Sequence, residues 1–218
     1  MKNLTEAIKK DRLIAIIRGI APKDLADVGN ALLRGEIHFA EVTFSHGDGA
    51  LAEQTLQSIQ ILKREFGENL HVGAGTVLSA QEVEAAVHAG AEYIISPNTE
   101  LAVIQKTKAL GAVSIPGAMT PTEIMAAYAM GADFVKVFPA GNLGAAYIKA
   151  IRGPAPNIPL LAVGGIGADN LREFLQAGVC GFGIGGNLVN RALVREGRFQ
   201  EIERIAKSLV AAMASSVV

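Results

Sequence analysis

The stretch HVGAGTVLSAQEVEAAVHAGAEYIISPNTELAVIQKTKALGAVSIPG, residues 71–117, decides the fold because it alternates short apolar runs with longer helical segments. The runs at 71–76, 93–97 and 112–117 are rich in β-branched residues or glycine, which is typical of buried strands. Between them, 80–89 and 100–110 have helical spacing, and Ser79 with Glu82 matches a capping box at a helix start. This order predicts parallel strands joined by helices.

The same alternation extends along the whole chain. The predicted strands cover residues 13–19, 39–44, 71–76, 93–97, 112–117, 134–139, 159–165 and 181–186. The predicted helices cover residues 22–34, 50–66, 80–89, 100–110, 121–130, 144–151, 169–176 and 199–213. Repeating βα units of about 25 residues, with strands too apolar for a solvated face, predict an α/β fold, a (β/α)8 TIM barrel. A doubly wound open sheet is the alternative.

The chain ends and helix ends add detail to this fold. We expect one domain over residues 1–218, with a short amphipathic helix under the barrel, because Leu4, Ile8 and Leu13 fall close to one helical face. Thr120 with Glu123 matches a second capping box. Glycines stand where five helices should end, which suits a left-handed C-cap: Gly35, Gly90, Gly111, Gly131 and Gly178.

Composition excludes several classes of protein. Of the 218 residues, 50% are hydrophobic and 19% are charged, which excludes a disordered chain. The net charge of -1 argues against nucleic-acid or membrane-surface binding. No apolar stretch is long enough to span a membrane, the N-terminus lacks the apolar core of a signal peptide, and the single Cys180 excludes an intrachain disulfide framework. We therefore expect a soluble cytoplasmic protein.

Two strand residues of the predicted barrel can carry chemistry. Lys136 shares a strand face with Phe134 and Phe138, and if that face points inward, burial favours the neutral, nucleophilic amine. The alternative is an outward lysine that reaches solvent. Glu41 could move protons for an inward lysine, or it could only form a buried ion pair with it.

Further polar or glycine-rich positions fall at strand ends. Arg18 suits a carboxylate or phosphate, although an inter-strand salt bridge is as plausible. Gly73 and Gly75 indicate close approach of a ligand or backbone, or tight core packing, and Thr76 would offer a hydroxyl at the barrel mouth.

The last two predicted strands end in glycine pairs. Gly164 with Gly165, and Gly185 with Gly186, lead into helices expected to start near Asp169 and Asn187. Such loops after the final strands of a barrel are typical of a phosphate site. The four histidines show no metal-ligand spacing, so no metal is expected, and Cys180 is interpreted as an inert packed thiol.

Several motifs together resemble the KHG/KDPG aldolase family. They are Glu-Val-Thr at 41–43, Gly-Ala-Gly-Thr-Val at 73–77, Ser-Pro-Asn at 96–98, Ile-Pro-Gly at 115–117, Phe-Val-Lys-Val-Phe-Pro-Ala at 134–140 and Val-Gly-Gly-Ile at 163–166. The resemblance implies a metal-free class I aldolase without a cofactor, assembled as a homotrimer. Such an enzyme reversibly cleaves a 2-keto-3-deoxy-6-phospho sugar acid to pyruvate and glyceraldehyde 3-phosphate.

The resemblance also implies roles for individual residues. Lys136 resembles the Schiff-base lysine, Glu41 the general acid/base, and Thr76 the threonine that holds the pyruvyl carboxylate. Pro97 and Phe138 resemble the apolar walls around the pyruvyl methyl group. The phosphate-binding glycines correspond to Gly164, Gly165, Gly185 and Gly186.

Three positions depart from the gluconate-type members of that family. Ser45 stands where those members have an arginine for the carboxylate, and Arg18 is expected to replace it, as in galactonate-type members. Val163 stands in place of their threonine, and Asn187 stands where a phosphate-binding serine is usual in the family. Two alternatives stay open at this point: a sugar-phosphate isomerase or synthase without an imine, and a non-catalytic phosphosugar-binding relative.

Overall fold

The computed structural model describes residues 4–47 and 49–214, in which parallel strands form a ring surrounded by helices. The strands are β1 Leu13–Ile17, β2 Phe39–Thr43, β3 His71–Gly75, β4 Tyr93–Ile95, β5 Val113–Ile115, β6 Gly117–Ala118, β7 Val135–Val137, β8 Leu160–Val163 and β9 Gly181–Ile184. The helices are α1 Leu4–Asp11, α2 Leu25–Arg34, α3 Gly49–Phe66, α4 Ala80–His88, α5 Leu101–Ala109, α6 Pro121–Ala129, α7 Ala140–Leu143, α8 Ala145–Arg152, α9 Leu171–Gln176, α10 Arg191–Arg195 and α11 Phe199–Ala214. A 3-10 turn at Pro22–Asp24 precedes α2.

The strand order confirms the predicted barrel and rules out the open doubly wound sheet. Neighbouring strands pair in the order β5-β4-β3-β2-β1-β9-β8-β7-β6, and every pair is parallel. The first and last strands of the chain are adjacent, since Leu13 pairs with Phe182. The carboxyl ends of all strands therefore meet on one face of the ring, where barrel enzymes place their sites.

One predicted strand, at 112–117, differs from the structure because it is divided at Pro116. The segment before the proline, β5, pairs with β4, and the segment after it, β6, pairs with β7. Proline has no backbone N-H to donate to a ladder, so the pairing is interrupted there. The Pro116 carbonyl still accepts from the Lys136 N-H at 2.9 Å. Nine segments in the described part of the chain thus occupy the eight predicted strand positions.

The end of the barrel opposite the strand carboxyl ends is filled with apolar side chains. Phe39, Tyr93 and Phe134 are fully buried there, and Ile8 of α1 packs into the same cluster with 1% exposure. This confirms the predicted helix under the barrel, although Leu13, expected near its apolar face, begins β1 instead. A larger apolar cluster lies between the strands and the surrounding helices. Apolar side chains thus close the interior of the ring at this end.

The helix boundaries follow the predicted capping chemistry with one exception. Ser79 with Glu82, and Thr120 with Glu123, both form complete capping boxes. The predicted left-handed glycine caps are confirmed by positive φ at four positions, Gly90, Gly111, Gly131 and Gly178.

Gly35 is the exception. Its φ is -86°, and the left-handed residue is Glu36, with φ 62°. A Cβ at Gly35 would overlap the Cβ of Ala206 on α11, so this glycine allows two helices to approach closely.

Candidate active site

A cavity of about 800 Å³ opens at the carboxyl ends of the strands, and all twelve predicted site residues line it. They are Arg18, Glu41, Thr76, Pro97, Lys136, Phe138, Val163, Gly164, Gly165, Gly185, Gly186 and Asn187. Residues from most of the strands around the ring therefore converge on one space. The size suits a small-molecule ligand.

Lys136 points into this cavity from the middle of β7 and is only 6% exposed. This position rules out the outward lysine. Burial lowers the pKa of the Lys136 amine from its ordinary value of 10.5; the Glu41 carboxylate opposes this shift and the Arg18 guanidinium adds to it. The Nζ atom lies 4.8 Å from the centroid of the Phe138 ring. The result is an amine with an increased neutral fraction at the wall of a binding cavity, as a nucleophilic lysine requires.

Glu41 reaches the same cavity from β2, where it is 2% exposed. Burial raises the pKa of its carboxyl group, and the charges of Lys136 and Arg18 oppose that shift. Within residues 4–47 and 49–214, Oε2 is buried and has no hydrogen-bond partner. A carboxyl group with an unpaired oxygen and a raised pKa can exchange protons with a ligand. This geometry argues against an ion pair that only fills the barrel.

The glycines of β3 make room for neighbouring side chains. A Cβ at Gly73 would overlap the ring of Tyr93, and a Cβ at Gly75 would overlap the carboxylate of Glu41. The interpretation that a ligand or backbone approaches these glycines is therefore wrong, and the packing alternative holds. Without a side chain at position 75, the acid has space to stand inside the ring.

Arg18 and Thr76 lie together at the ends of β1 and β3. Arg18 Nη2 donates to Thr76 Oγ1 at 3.5 Å. Thr76 has a φ of 58°, an uncommon conformation for a β-branched residue, and such strain concentrates at binding sites. The arginine ion pairs of the described chain involve Arg34 and Arg198, so the salt-bridge alternative for Arg18 is wrong. A guanidinium beside a hydroxyl can bind a carboxylate.

Two glycine-containing loops, after β8 and β9, form another part of the cavity wall. Gly164 and Gly165 have φ values of 88° and 72°. Asn187 Nδ2 donates to the Ile166 carbonyl at 2.9 Å, so its amide joins the two loops. The helices after these loops start later than predicted: α9 begins at Leu171 and α10 at Arg191. The predicted helix start near Asn187 is wrong because the chain turns at residues 185–189 before Asn190 caps α10.

Two arginines of α10 belong to the cavity but were not predicted from the sequence. Arg191 and Arg195 both line the cavity, and they are four residues apart, so they share a helix face. The pattern Arg-Ala-Leu-Val-Arg at 191–195 was the available signal. A five-residue helix is too short to show a period, so the signal could not be placed on the barrel mouth. Other lining residues not predicted are Ile16, Ile166, Gly183, Val189, Asn190 and Ala192.

Two histidines, Ser45 and Cys180 do not line the cavity. His46 contacts Glu82 at 3.0 Å and His38 contacts Asp11 at 3.0 Å, so both are engaged elsewhere. Ser45 lines a separate small pocket beside α3. Burial raises the pKa of the Cys180 thiol to about 11, in keeping with an inert thiol. Among the described residues, no three His, Cys, Asp or Glu side chains come together as a metal site.

Comparison with known proteins decides the family. The sequence model of the family described as KDPG and KHG aldolase matches residues 4–205. The chain belongs to this family. It is 35% identical over 201 residues to the 2-dehydro-3-deoxy-6-phosphogalactonate aldolase of Escherichia coli strain K12, covering 91% of each chain. It is 27% identical over 213 residues to the 2-dehydro-3-deoxy-phosphogluconate aldolase of Haemophilus influenzae, covering 96% of each.

Solved structures agree with the sequence comparisons. The structure described as "Native KDPGal structure" superimposes with a TM-score of 0.85 at 30% identity, over 94% of this chain and 95% of that one. A KDPG and KHG aldolase is a lyase that cleaves a carbon-carbon bond. Family membership therefore decides against the isomerase or synthase and against the non-catalytic binding protein. In the described residues, no helix is both long and apolar enough to cross a membrane.

Proposed function

We propose that this KDPG and KHG aldolase reversibly cleaves a 2-keto-3-deoxy-6-phospho sugar acid to pyruvate and glyceraldehyde 3-phosphate through an imine on Lys136. The observation that carries the proposal is the buried Lys136 amine, with a lowered pKa, in the cavity that also contains Glu41. Nucleophilic lysines are activated in this way, by desolvation and by nearby cationic groups. Arg18 supplies the nearby cation.

The chemistry starts at the C2 ketone of the substrate. The neutral Lys136 amine adds to C2, and the resulting carbinolamine loses water to give an iminium ion. Glu41 in its protonated form supports this step by giving its proton to the departing hydroxyl group, which leaves Glu41 as a carboxylate. That carboxylate then accepts the proton of the C4 hydroxyl.

Cleavage and release complete the cycle. As the C4 hydroxyl loses its proton, the C3-C4 bond breaks and the aldehyde leaves. The electrons of that bond form a double bond between C3 and the iminium carbon, which gives an enamine. The protonated Glu41 gives the proton it accepted to C3 of the enamine, which restores the iminium ion. Water then adds to C2 and gives one proton to Glu41, and the carbinolamine breaks down to pyruvate and the neutral Lys136 amine. Burial of Glu41 raises the pKa of its carboxyl group and so increases its protonated fraction, which suits a side chain that serves first as acid and then as base.

The other lining residues are assigned to substrate groups. Arg18 and Thr76, in contact with each other, are proposed to bind the pyruvyl carboxylate. Pro97 and Phe138 are proposed to form apolar walls around the pyruvyl methyl group. The loops with Gly164, Gly165, Gly185, Gly186 and Asn187 are proposed to receive the phosphate.

We infer that the galactonate-type substrate is preferred over the gluconate type. Ser45, at the position of the gluconate-type arginine, lines a different pocket, whereas Arg18 lines the cavity. Val163, in place of a threonine, gives the cavity an apolar wall. Relatives with a phosphogalactonate name are 35% and 36% identical to this chain, and relatives with a phosphogluconate name are 27% to 32% identical.

Borohydride trapping tests the imine. The chain is treated with pyruvate and borohydride, and its intact mass is compared with that of Lys136→Met. We expect a mass increase of one reduced pyruvate in the unsubstituted protein and none in the variant. An adduct of equal yield in Lys136→Met would contradict the proposal. Pyruvate release from the two C4 epimers, with and without phosphate, then identifies the substrate.

We also propose that the enzyme assembles as a homotrimer. Support comes from exposed apolar side chains on and near α5 and α6: Leu101, Met119, Met125, Tyr128 and Met130, each at least 37% exposed. Such a cluster is typical of an interface. Native mass spectrometry should give three times the chain mass, and Met125→Glu with Tyr128→Glu should shift it to one. A monomer from the unsubstituted protein would overturn the trimer.

A further inference from the structure

Among the described residues, none of the three arginines that line the cavity forms an ion pair with a carboxylate. Arg18, Arg191 and Arg195 all line it, whereas the arginine ion pairs of the described chain involve Arg34 and Arg198. The acidic side chain in the lining is Glu41, and burial raises the pKa of its carboxyl group. The cavity is therefore suited to a ligand with several negative charges.

Arg191 is held in a defined position by the end of β1. Its Nε donates to the Arg18 carbonyl at 3.0 Å, which leaves both terminal nitrogens available as donors. Gly19, with φ 62°, lies directly beneath the guanidinium, and a Cβ there would overlap Nη2 of Arg191. A guanidinium fixed through Nε, with two free nitrogens, is ready to bind an oxyanion bidentately.

Asn187 offers a phosphate at most one side-chain donor in this structure. One N-H of its Nδ2 group donates to the Ile166 carbonyl, which leaves the second N-H. The amide carries no charge to balance that of a phosphate. The glycine loops can offer backbone N-H groups, but the charge of about -2 on a phosphate calls for cationic partners as well.

We propose that Arg191 and Arg195 are the residues that make this enzyme specific for phosphorylated substrates. This inference rests on the proposed aldolase function and adds the group that recognises the end of the substrate away from the ketone. Arg18 binds the carboxylate end, and the α10 arginines bind the phosphate end. The two anionic ends of the substrate thus meet separate arginines on separate elements.

The test measures phosphate preference in the direction of synthesis. Pyruvate is condensed with glyceraldehyde 3-phosphate or with glyceraldehyde, and the preference is the ratio of the two kcat/KM values. The variants are Arg191→Gln, Arg195→Gln and the double variant. Arg172→Gln is the matched control, since Arg172 is exposed on α9 and does not line the cavity.

In the double variant we expect the ratio to fall by about 10-100-fold, because a hydrogen bond to a charged group is lost. The fall should come from a lower kcat/KM for glyceraldehyde 3-phosphate. Borohydride trapping of pyruvate should be unchanged, since pyruvate has no phosphate. An unchanged ratio, or an equal loss with both aldehydes, would overturn the inference.

Binding of inorganic phosphate separates this inference from the proposed function. If the unsubstituted protein condenses neither aldehyde, the proposed function fails. Calorimetry with inorganic phosphate still tests the arginines: weaker binding in Arg191→Gln but not in Arg172→Gln supports their role. Equal phosphate affinity in the two variants contradicts it.

Discussion

At the scale of single residues, the cavity keeps a lysine in an environment that disfavours its charge. Lys136 is 6% exposed, and burial lowers the pKa of its amine. In the unfolded chain the same amine titrates near 10.5. Between the native pKa and that value, the unfolded state binds more protons, so the contribution of Lys136 to the free energy of unfolding rises with pH. At neutral pH the buried lysine therefore lowers the free energy of unfolding, as the proposed nucleophile would.

Replacing this lysine should stabilise the protein while abolishing activity. Lys136→Met removes the buried charge, and we expect the free energy of unfolding at pH 7 to rise by about 1-4 kcal/mol. The gain should shrink as the pH approaches 10.5, where the unfolded-state lysine also becomes neutral. Urea unfolding at several pH values measures it. Lys149→Met, at an exposed position on α8, is the control and should gain nothing. A stability gain that grows with pH would contradict this assignment.

Gly75 should control the position of the acid. In Gly75→Ala the new methyl group would overlap the Glu41 carboxylate, so Glu41 must move. Loss of a positioned general acid/base costs about 100-fold or more, and kcat for pyruvate release should fall by that factor. Gly49→Ala is the matched control, because a Cβ there meets nothing within 4 Å. An active Gly75→Ala enzyme would show that Glu41 does not need its present position.

At the scale of elements, the capping boxes fix where helices begin. Thr120 accepts from the Glu123 N-H at 3.3 Å, and Glu123 Oε2 accepts from the Thr120 N-H at 2.8 Å. Thr120→Ala should cost about 1 kcal/mol and lower Tm by about 2-4 °C. Thr120→Ser should restore most of the loss, and kcat should stay unchanged in both variants. Thermal unfolding followed by circular dichroism measures it, and an unaltered Tm in Thr120→Ala would count against the cap.

The elements also show which parts of the structure are readable from sequence. Long helices and buried strands have periods and marked ends, so the barrel and its lysine, acid and glycine loops could be predicted. The division at Pro116 could not, because it depends on which neighbour each half-strand pairs with. Helix α10 could not either, since five residues carry no period, and Arg191 and Arg195 were missed with it.

At the scale of the whole molecule, the ring is closed by residues far apart in the chain. Strands β1 and β9 pair, and α1 covers the filled end of the barrel through Ile8. Such long-range contacts are invisible to local patterns, although the (β/α)8 repeat implies them once the repeat is recognised. The side-chain reason for Gly73 and Gly75 also became visible only at this scale, because Tyr93 and Glu41 come from neighbouring strands.

Side chains at the end of the barrel covered by α1 should affect the free energy of unfolding but not kcat. Ile8→Ala removes a side chain that is 1% exposed within the lower apolar cluster. We expect a loss of about 2-5 kcal/mol in the free energy of unfolding, with kcat at 25 °C close to that of the unsubstituted enzyme. Lys10→Ala, on the same helix but exposed, should change neither quantity. A large fall in kcat for folded Ile8→Ala would mean that the two ends of the barrel are coupled.

The space that Gly75 leaves for Glu41 also constrains how such an enzyme could arise. A glutamate introduced at position 41 opposite any side chain at position 75 would meet that side chain inside a closed ring. In any stepwise route, historical or designed, the acid can therefore take its present position only after the glycine is there. Substitutions at positions 41 and 75 are therefore not independent. In a library that varies both positions, active variants with glutamate at position 41 should carry glycine at position 75.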